Sequence, residues 1–433
     1  MILLLTKRIF LMIKIFTVFL LAIFVPRFFI LCVPTENSIS TESKLKFKLG
    51  LENISEDLIE KLEGKNIGLI TNQTGIDHLK RRNIDVLRRK GLKISTIYAP
   101  EHGIKGIVNA GDHVHHSVDN KTGIPIVSLY EGDSKFKHFK PDDVKNIDAF
   151  IFDIQDCGMR HYTYVSILFR MLQVAGKFNK TMIILDRPNP LGMVMEGPLV
   201  EPELHSFVSI APIPLRHGMT FGELAKYFNK YLIEPQIKDL IIVPMRNFTR
   251  DQGLSRNLDI FLSPNIQNID SLYGYSFLGL LGEIKPFDVG VGTKYAFQCI
   301  LLPDSLNFEH AKWQELHKIL IQRGIESSMC KYTKKPGQDF TGLKIYIIDI
   351  NDFSSFNTLL DILKFFKHNG IKFSYAKILD KAVGTTRFKR VLDKTLSKKK
   401  FAKIVNCELD EFFNKAKDVL IYEPAPKIVK VIS

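Results

Sequence analysis

Two adjacent polar side chains stand where an apolar, strand-like run ends and a loop begins. The stretch IYAPEHGIKG, residues 97–106, places Glu101 and His102 between a proline and a glycine. A carboxyl group beside an imidazole is suited to acid–base chemistry. The same pair is also compatible with an ordinary polar turn, so the stretch by itself leaves both interpretations open.

Carboxyl groups are the most suitable candidates for chemistry in this chain. Hydrolysis of a glycosidic bond needs a protonated carboxyl group as proton donor and often a second carboxylate, about 5 to 9.5 Å away. Glu101 suits the acid role, because an apolar setting favours the protonated form of a carboxyl group. The other candidates are Asp153, Asp156, Glu196 and Glu283.

A group of histidines offers a competing chemistry. His102 and the segment HVHH, residues 113–116, have side chains of a type that binds zinc. The segment lies in a loop rich in Gly, Asp and Asn, without HExxH or a comparable rigid frame. We therefore expect no metal site, and a metal-dependent hydrolase is the alternative. Dinucleotide cofactors and nucleotide hydrolysis are not supported, because GxGxxG after the first strand and GxxxxGK[ST] are missing. No GxSxG elbow is present either.

The elements that would position these residues follow an alternating pattern. Apolar runs alternate with amphipathic segments, which predicts βαβ units and a parallel sheet. The predicted strands are 66–72, 92–99, 124–130, 148–154, 181–187 and 240–245, and the predicted helices between them include 161–178 and 220–232. We expect an α/β fold with a Rossmann-like catalytic domain at residues 51–245.

The remaining chain, residues 246–433, has a different pattern. It predicts a smaller α/β domain that completes a cleft with the first. Its predicted parts are a Gly-rich, loop-rich segment at 250–300, a helix near 308–324, a strand at 343–350, a helix at 359–370 and a Lys-rich helical tail near 398–400.

Polar residues follow five of the predicted strands. In a parallel sheet these strand ends lie at one edge, and ligands of doubly wound folds bind in the crevice outside that edge. We therefore predict one site from all five ends. The residues are Asn72 and Gln73; Glu101 and His102; Tyr130 and Glu131; Asp153, Gln155 and Asp156; and Asp186, Arg187 and Asn189.

The first 33 residues predict an export signal. Basic residues precede an apolar run from Ile15 to Pro26, which is shorter than the about 20 residues of a membrane span. An uncleaved membrane anchor is the alternative, and residues 34–50 are read as a linker. We expect an exported protein, periplasmic or secreted, which contacts a membrane only if this segment is retained.

The composition predicts a folded protein with a basic surface. Of 433 residues 45% are hydrophobic and the net charge is +14, which becomes +10 without the first 33 residues. A basic surface attracts anionic polymers such as cell wall, and nucleic acid is not expected as a partner of an exported chain. Four scattered cysteines beyond the export segment, without CxxC spacing, predict neither a zinc site nor a disulfide framework.

Six motifs occur in order along the chain. They are GLITNQTG (68–75), PEHGIKG (100–106), FDIQDCGMRHYTYVS (152–166), LDRPNPLG (185–192), EGPLVEPELHSFVSIAPIPLRHGMTFGELAKYFN (196–229) and SPNIQNIDS (263–271). In this order they resemble the exo-acting β-N-acetylmuramidases, a family of peptidoglycan hydrolases. The resemblance implies a Rossmann-like domain joined to a smaller α/β domain. It also implies removal of N-acetylmuramic acid from the non-reducing end of peptidoglycan fragments, without metal or cofactor.

The resemblance implies roles for individual residues. Glu101 would be the catalytic acid, and Asp153 and Asp156 would orient water or stabilise the cationic transition state. Three further residues would line the pocket, namely Arg160, Tyr162 and Tyr164. Polar sugar groups would be held by Arg187, Asn189, Arg216 and His217. We add Asn72, Gln73, His102, Glu196 and Glu283 as further substrate-binding candidates.

One segment departs from the family pattern. Where the family usually carries an EGTN-like run followed by GRGT, this chain has GEIKPFDVGVGT, residues 282–293, with Val291 at the arginine position. An arginine that would meet an anionic group of the substrate is therefore missing. We expect an altered substrate or reduced activity, and a non-catalytic wall-binding protein is a further alternative.

Overall fold

The computed structural model describes residues 47–132, 135–252 and 261–432. The predicted export segment and most of the predicted linker lie outside these ranges. Within them, no helix has both the length and the apolar character needed to cross a membrane.

The described residues form strands and helices in alternation through the first half of the chain. The strands are β1 Asn66–Thr71, β2 Lys93–Ala99, β3 Ser117–Val118, β4 Pro125–Ser128, β5 Ala149–Asp153, β6 Thr181–Leu185, β7 Val194–Glu196, β8 Leu240–Val243, β9 Ile284–Lys285, β10 Cys299–Pro303, β11 Ile325–Lys335, β12 Gln338–Ile347, β13 Ser374–Tyr375 and β14 Lys427–Val429.

The α-helices follow the same chain order. They are α1 Glu56–Lys61, α2 Asn83–Arg89, α3 Pro141–Val144, α4 Thr163–Lys177, α5 Phe221–Tyr231, α6 Ile269–Leu281, α7 His310–Ile321, α8 Ser355–His368, α9 Leu379–Val383, α10 Arg387–Leu392 and α11 Lys398–Ala416. Short 3₁₀ turns occur at Gly50–Glu52, Pro202–Leu204, Arg250–Gln252, Asp304–Leu306 and Lys417–Val419.

A seven-stranded sheet in the order β3-β4-β2-β1-β5-β6-β8 forms the centre of the fold. All neighbours are parallel except β3, which pairs antiparallel with β4. The predicted α/β fold with a parallel sheet is therefore confirmed, and all six predicted strands are present. A capping box starts α5, because Thr220 and Glu223 exchange hydrogen bonds there.

Apolar layers cover both faces of this sheet. In β5, Phe150 and Phe152 belong to one buried cluster, and Ala149 and Ile151 belong to another. This division follows from the alternation of side chains along a strand. It explains why these strands are continuous apolar runs in the sequence.

The order of the strands creates a switch point between β1 and β5. From β1 the chain builds outward through β2 and β4, and it then returns to place β5 on the other side of β1. Ligands of such sheets bind at the carboxyl ends of the strands that flank this reversal. The segments that follow β1, β2 and β5 are therefore the first place to look for a site.

The second half of the chain contains elements that the sequence analysis missed. Helix α6 lies within the segment 250–300, which we expected to be loop-rich, so that expectation was wrong for this part. Gly274 suggested a loop, but here it permits close packing, since a Cβ atom would lie 1.7 Å from the Phe297 carbonyl oxygen. Of the three strands in the antiparallel sheet β10-β12-β11, the sequence analysis predicted only β12.

Candidate active site

Glu101 lies directly after β2 and is buried. Its Oε1 accepts a hydrogen bond from the backbone N–H of Gly111 (2.9 Å), and its Oε2 accepts one from the hydroxyl of Thr163 (2.7 Å). Thr163 is the first residue of α4. Because a hydroxyl can both donate and accept, this partner suits Glu101 in its charged and its protonated form.

His102 is held in a fixed orientation beside Glu101. Its backbone has a φ of 70°, which is uncommon outside glycine. Its ring Nδ1 lies 2.7 Å from the carbonyl oxygen of Val108. A carbonyl oxygen only accepts, so Nδ1 carries the hydrogen when the ring is neutral, and Nε2 is then an acceptor.

The HVHH histidines do not gather around His102. His113, His115 and His116 are exposed. His116 accepts a hydrogen bond from the backbone N–H of Ser128 (3.0 Å). Among the residues that the structure describes, no three His, Cys, Asp or Glu side chains are grouped to hold a metal ion.

Asp156 and His217 form a buried pair beside the end of β5. The backbone N–H of Met219 donates to Nδ1 of His217 (3.3 Å), so in the neutral ring Nε2 carries the hydrogen. That Nε2 lies 3.1 Å from Oδ2 of Asp156, a close contact without the alignment of a full hydrogen bond. Within the described ranges, Oδ1 of Asp156 is buried without a hydrogen-bond partner. Asp156 is thus a buried carboxylate with one oxygen available.

Several other buried polar atoms at this edge also lack partners among the described residues. They are Nδ2 of Asn72, Oε1 of Gln73 and both ring nitrogens of His161. Nearly all buried polar groups in proteins are paired, so a concentration of unpaired atoms indicates a site that substrate or water completes. Burial and the nearby Arg160 lower the pKa of His161 to about 3, so its ring is neutral.

Three predicted residues converge on one backbone carbonyl. The oxygen of Leu262 accepts from Nε2 of Gln73 (3.0 Å) and from the hydroxyls of Tyr162 (3.2 Å) and Tyr164 (3.4 Å). Tyr164 also lies 3.5 Å from the carbonyl oxygen of Glu101. These side chains therefore hold the loop that contains Leu262 next to the catalytic candidate.

Asp153 has a different environment from the one we expected. Its carboxylate accepts from Nε and Nη2 of Arg187 (2.6 and 3.1 Å) and from Nδ2 of Asn83 (2.8 Å), and it is fully buried. Arg187 also donates to the carbonyl oxygen of Ile76. We expected Asp153 to orient water or to stabilise the cationic transition state, and Arg187 to hold a polar sugar group. In the structure the two side chains bind each other, and those roles stay predictions.

Arg160 is also used inside the protein. Its five N–H groups donate to Ser209 Oγ and to the carbonyl oxygens of Pro198, Ile213, Ala382 and Val383. Burial lowers the pKa of Arg160 to about 9. No donor remains for a sugar, so the structure places Arg160 between α9 and the first half of the chain.

Three more predicted residues also form their contacts inside the protein, namely Arg216, Glu196 and Asn189. Arg216 pairs with Glu196 (3.3 Å) and donates to three backbone carbonyls, and both residues are buried. Glu196 accepts from the backbone N–H groups of Ser355 and Phe356, at the start of α8. The side-chain amide of Asn189 donates a hydrogen bond to the carbonyl oxygen of Met219 and accepts one from the backbone N–H of Leu191. These contacts differ from the sugar contacts that we expected.

Tyr275 is a site residue that the sequence analysis missed, because α6 was not predicted. Its ring centroid lies 4.9 Å from that of His161 and 6.0 Å from that of Tyr162. Burial raises the pKa of Tyr275 well above its usual value, and the charges of Cys157, Glu101, Glu283 and Asp156 add to this effect. Its phenol therefore remains a hydrogen-bond donor close to three carboxyl groups.

Glu283 and Val291 border the site. Glu283 follows α6, and partial burial raises its pKa. Val291 is exposed (37%), and the N–H of its neighbour Gly292 approaches Oδ1 of Asn265 at 3.4 Å. Asn265 belongs to the same loop as Leu262. The segment that contains Val291 therefore contacts the loop of Leu262, at the rim of the candidate site.

The chain is similar to known proteins over most of its length. Sequence models of the exo-β-N-acetylmuramidase NamZ match residues 67–270 (N-terminal domain) and 273–422 (C-terminal domain). A peptidoglycan β-N-acetylmuramidase NamZ of Bacillus subtilis is 36% identical over 330 residues, which cover 75% of this chain and 78% of that protein.

Solved structures are also similar to this chain over most of its length. A crystal structure of a DUF1343 family protein from Bacteroides fragilis has a TM-score of 0.77 and 28% identity, and the match covers 88% of this chain and 100% of that one. A second such protein from this organism has a TM-score of 0.67 and 26% identity, covering 87% and 99%. Because both domain models match in consecutive segments and the curated relative matches three quarters of the sequence, the chain belongs to the exo-β-N-acetylmuramidase family of glycoside hydrolases.

Proposed function

We propose that this glycosidase is exported and removes N-acetylmuramic acid, or a related amino sugar, from the non-reducing end of peptidoglycan fragments. The observation that carries the proposal is the presence of two buried carboxyl groups after β2 and β5, at the carboxyl edge of the sheet. Glu101 has a hydroxyl partner that tolerates both of its protonation states, and Asp156 has one oxygen without a partner among the described residues.

In the proposed mechanism, Glu101 donates a proton to the glycosidic oxygen as the bond to the leaving sugar breaks. The hydroxyl of Thr163 then donates to the carboxylate that remains. Asp156, oriented by His217, polarises the attacking water or stabilises the positive charge that develops on the sugar ring. Such preorganised electrostatic stabilisation requires groups whose positions are fixed before the reaction begins.

Polar groups of the sugar would supply hydrogen-bond partners for the remaining atoms that lack one among the described residues. Nδ2 of Asn72 can donate, Oε1 of Gln73 can accept, and the neutral ring of His161 can do both. A sugar that carries an acetamido group offers one donor and one acceptor, so it matches this set. His161 was not among the sequence candidates, although it lies between Arg160 and Tyr162 in the RHYTY motif.

Export is supported by the sequence alone. Residues 1–33 combine basic residues with a short apolar run, and a wall-degrading enzyme meets its substrate outside the cytoplasm. Fractionation of cells that express the full chain, with mass determination of the mature N-terminus, would test this part. Recovery of the uncleaved chain in the cytoplasmic fraction would contradict it.

The substrate is tested by comparing two disaccharides. One carries N-acetylmuramic acid at the non-reducing end and the other carries N-acetylglucosamine there, and mass spectrometry detects the released sugar. We expect release from the first and little from the second. Equal release would show that the lactyl group is not recognised, and release only from the second would exclude N-acetylmuramic acid as the preferred sugar. Release from neither would contradict the proposal.

A further inference from the structure

A cavity in the C-terminal part of the chain shares no residue with the candidate active site. It is lined by residues of α7, α8 and α10 and by the segment that joins α10 to α11. Its volume is about 830 Å³, which is in the range of small-molecule sites. Its floor includes four buried apolar side chains, namely Leu360, Phe365, Leu392 and Leu396.

Helix α8 contributes a continuous stripe to this lining. The stripe consists of Leu360, Asp361, Lys364, Phe365 and His368. Residues spaced three or four apart lie on one face of a helix. At a rise of 1.5 Å per residue, the stripe is about 12 Å long and covers about two turns. The cavity therefore follows the helix over this length, which suits a chain-like ligand.

The charge of the lining is unbalanced. Its cations are Lys364, Lys367, Lys394 and Lys398, and its carboxylates are Glu315 and Asp361. Glu315 is paired with Lys312 (2.9 Å), and Asp361 accepts from Nε of Arg323 (2.8 Å). Among the described residues, no carboxylate forms an ion pair with Lys364, Lys394 or Lys398. An anionic ligand would supply the missing counter-charge.

Lys398 has an electrostatically unfavourable position in its helix. It is the first residue of α11, and residues 398–400 are all lysine. The unpaired N–H groups at the start of a helix carry partial positive charge, so cations there are unfavourable. Burial lowers the pKa of Lys398, and the charge of Asp361 opposes this shift. The cations Lys364 and Arg323 lower the pKa further. An anion bound beside Lys398 would relieve this repulsion.

We propose that this cavity binds a monomeric amphiphile that has one acyl chain and an anionic headgroup, of which a fatty acid is the simplest example. The acyl chain lies along the apolar floor beside α8, and the headgroup lies between Lys364 and Lys398. The apolar side chains of the floor are buried, so they suit a single enclosed chain and not insertion into a bilayer. Binding at this cavity requires no residue of the candidate active site.

Calorimetry with three small ligands tests both parts of the proposed ligand. The probe is octanoate, 1-octanol has the same chain length without the charge, and hexanoate has a shorter chain. We expect octanoate to bind about tenfold more tightly than 1-octanol, because only octanoate can pair with the lysines. Hexanoate should bind roughly tenfold more weakly than octanoate, because it buries two methylene groups fewer. Equal binding of octanoate and 1-octanol, or no binding of octanoate, would overturn the proposal.

Two lysine variants locate the headgroup. Lys398→Gln should weaken the binding of octanoate about tenfold and leave that of 1-octanol unchanged. The control is Lys400→Gln, which removes the same charge from the same helical turn outside the cavity lining and should leave octanoate binding unchanged. Both variants should remain folded, because each removes a cation from the start of a helix, and their melting temperatures verify this. Equal weakening by the two variants would overturn the proposal.

Vesicles of anionic phospholipid distinguish a monomeric ligand from a membrane surface. In a sedimentation assay the described ranges predict no retention of the protein by vesicles beyond what Lys400→Gln and Lys398→Gln share. Binding to the vesicles that Lys398→Gln alone abolishes, without any binding of octanoate, would show that the cavity recognises a membrane surface and would overturn the proposal.

Discussion

Asp153 and Asp156 lie at the end of the same strand but have different surroundings. Asp153 is enclosed by Arg187 and Asn83, which satisfy its carboxylate completely. Asp156 has His217 on one side, and its Oδ1 has no hydrogen-bond partner in the part of the chain that the structure describes. The sequence could identify both as candidates, because both follow a predicted strand. It could not separate them, since Asn83 and Arg187 are distant in sequence.

This difference predicts that substitution of Asp153 affects mainly the stability, whereas substitution of Asp156 affects mainly kcat. Asp153→Asn should lower the free energy of unfolding by about 3–5 kcal/mol, because the buried guanidinium of Arg187 loses its counter-charge. Asp156→Asn, the matched control, should change stability by about 1 kcal/mol or less and should reduce kcat. Urea denaturation measures the first effect. A stable Asp153→Asn protein without activity would contradict the structural role of Asp153.

A second prediction for a single residue concerns Val291. Because it is exposed in a segment at the rim of the site, an arginine there can reach an anionic sugar group without displacing buried atoms. Val291→Arg should lower KM for the N-acetylmuramic acid disaccharide several-fold and leave that for an uncharged analogue unchanged. Val291→Gln, which lacks the charge, is the control in steady-state assays. An identical effect of both variants would exclude a charge contact.

Elements of regular structure were predictable where one physical signal was dominant. Strands β1, β5 and β6 are apolar because helices cover both faces of the sheet, and α5 has a capping box at its start. Helix α6 was missed because Gly274 and Gly279 resemble loop residues. Both glycines meet distant neighbours, the Phe297 carbonyl and the His161 ring, so only the tertiary structure explains them.

The junction of β6 and α5 predicts a pH effect on stability. The Asp186 carboxyl accepts from Thr220, Gly222 and Tyr422, and burial raises its pKa from 3.8 to about 6. Between these values the folded protein holds a proton that the unfolded chain has lost. Stability contributed by this proton is therefore present below about pH 4 and is lost as the pH rises through 6.

The test compares the wild-type protein with Asp186→Asn, which cannot titrate at this position. The free energy of unfolding of the wild type, relative to the variant, should fall by about 3 kcal/mol between pH 4 and pH 7. Chemical denaturation at several pH values measures this difference. A difference that does not change with pH would show that the pKa of Asp186 is not raised.

At the scale of the whole molecule, buried arginines join the two halves of the chain. Arg160 reaches the carbonyl oxygens at the end of α9, and Arg216 reaches those of Ile350 and Phe353 before α8. Both arginines lie in the motifs that resemble the family. Their sequence separation from these carbonyls, more than 130 residues, explains why pattern alone suggested sugar contacts.

Arg160→Met therefore tests structural against substrate-binding roles. We expect a loss of about 3–5 kcal/mol in stability, because four carbonyl groups and one hydroxyl lose a buried donor. At a temperature where the variant remains folded, KM should equal that of the wild type. The control is Lys177→Met at an exposed position. An increase in KM with unchanged stability would instead support a contact with the sugar.

The most direct measurement is the rate at which Glu101→Gln releases N-acetylmuramic acid from the non-reducing end of the disaccharide. Glutamine can still accept from Gly111 but cannot donate an acidic proton. The rate should fall about 10²- to 10⁴-fold, while the melting temperature changes by only about 2 °C. Release at the wild-type rate by a folded variant would contradict the assignment of Glu101 as the catalytic acid.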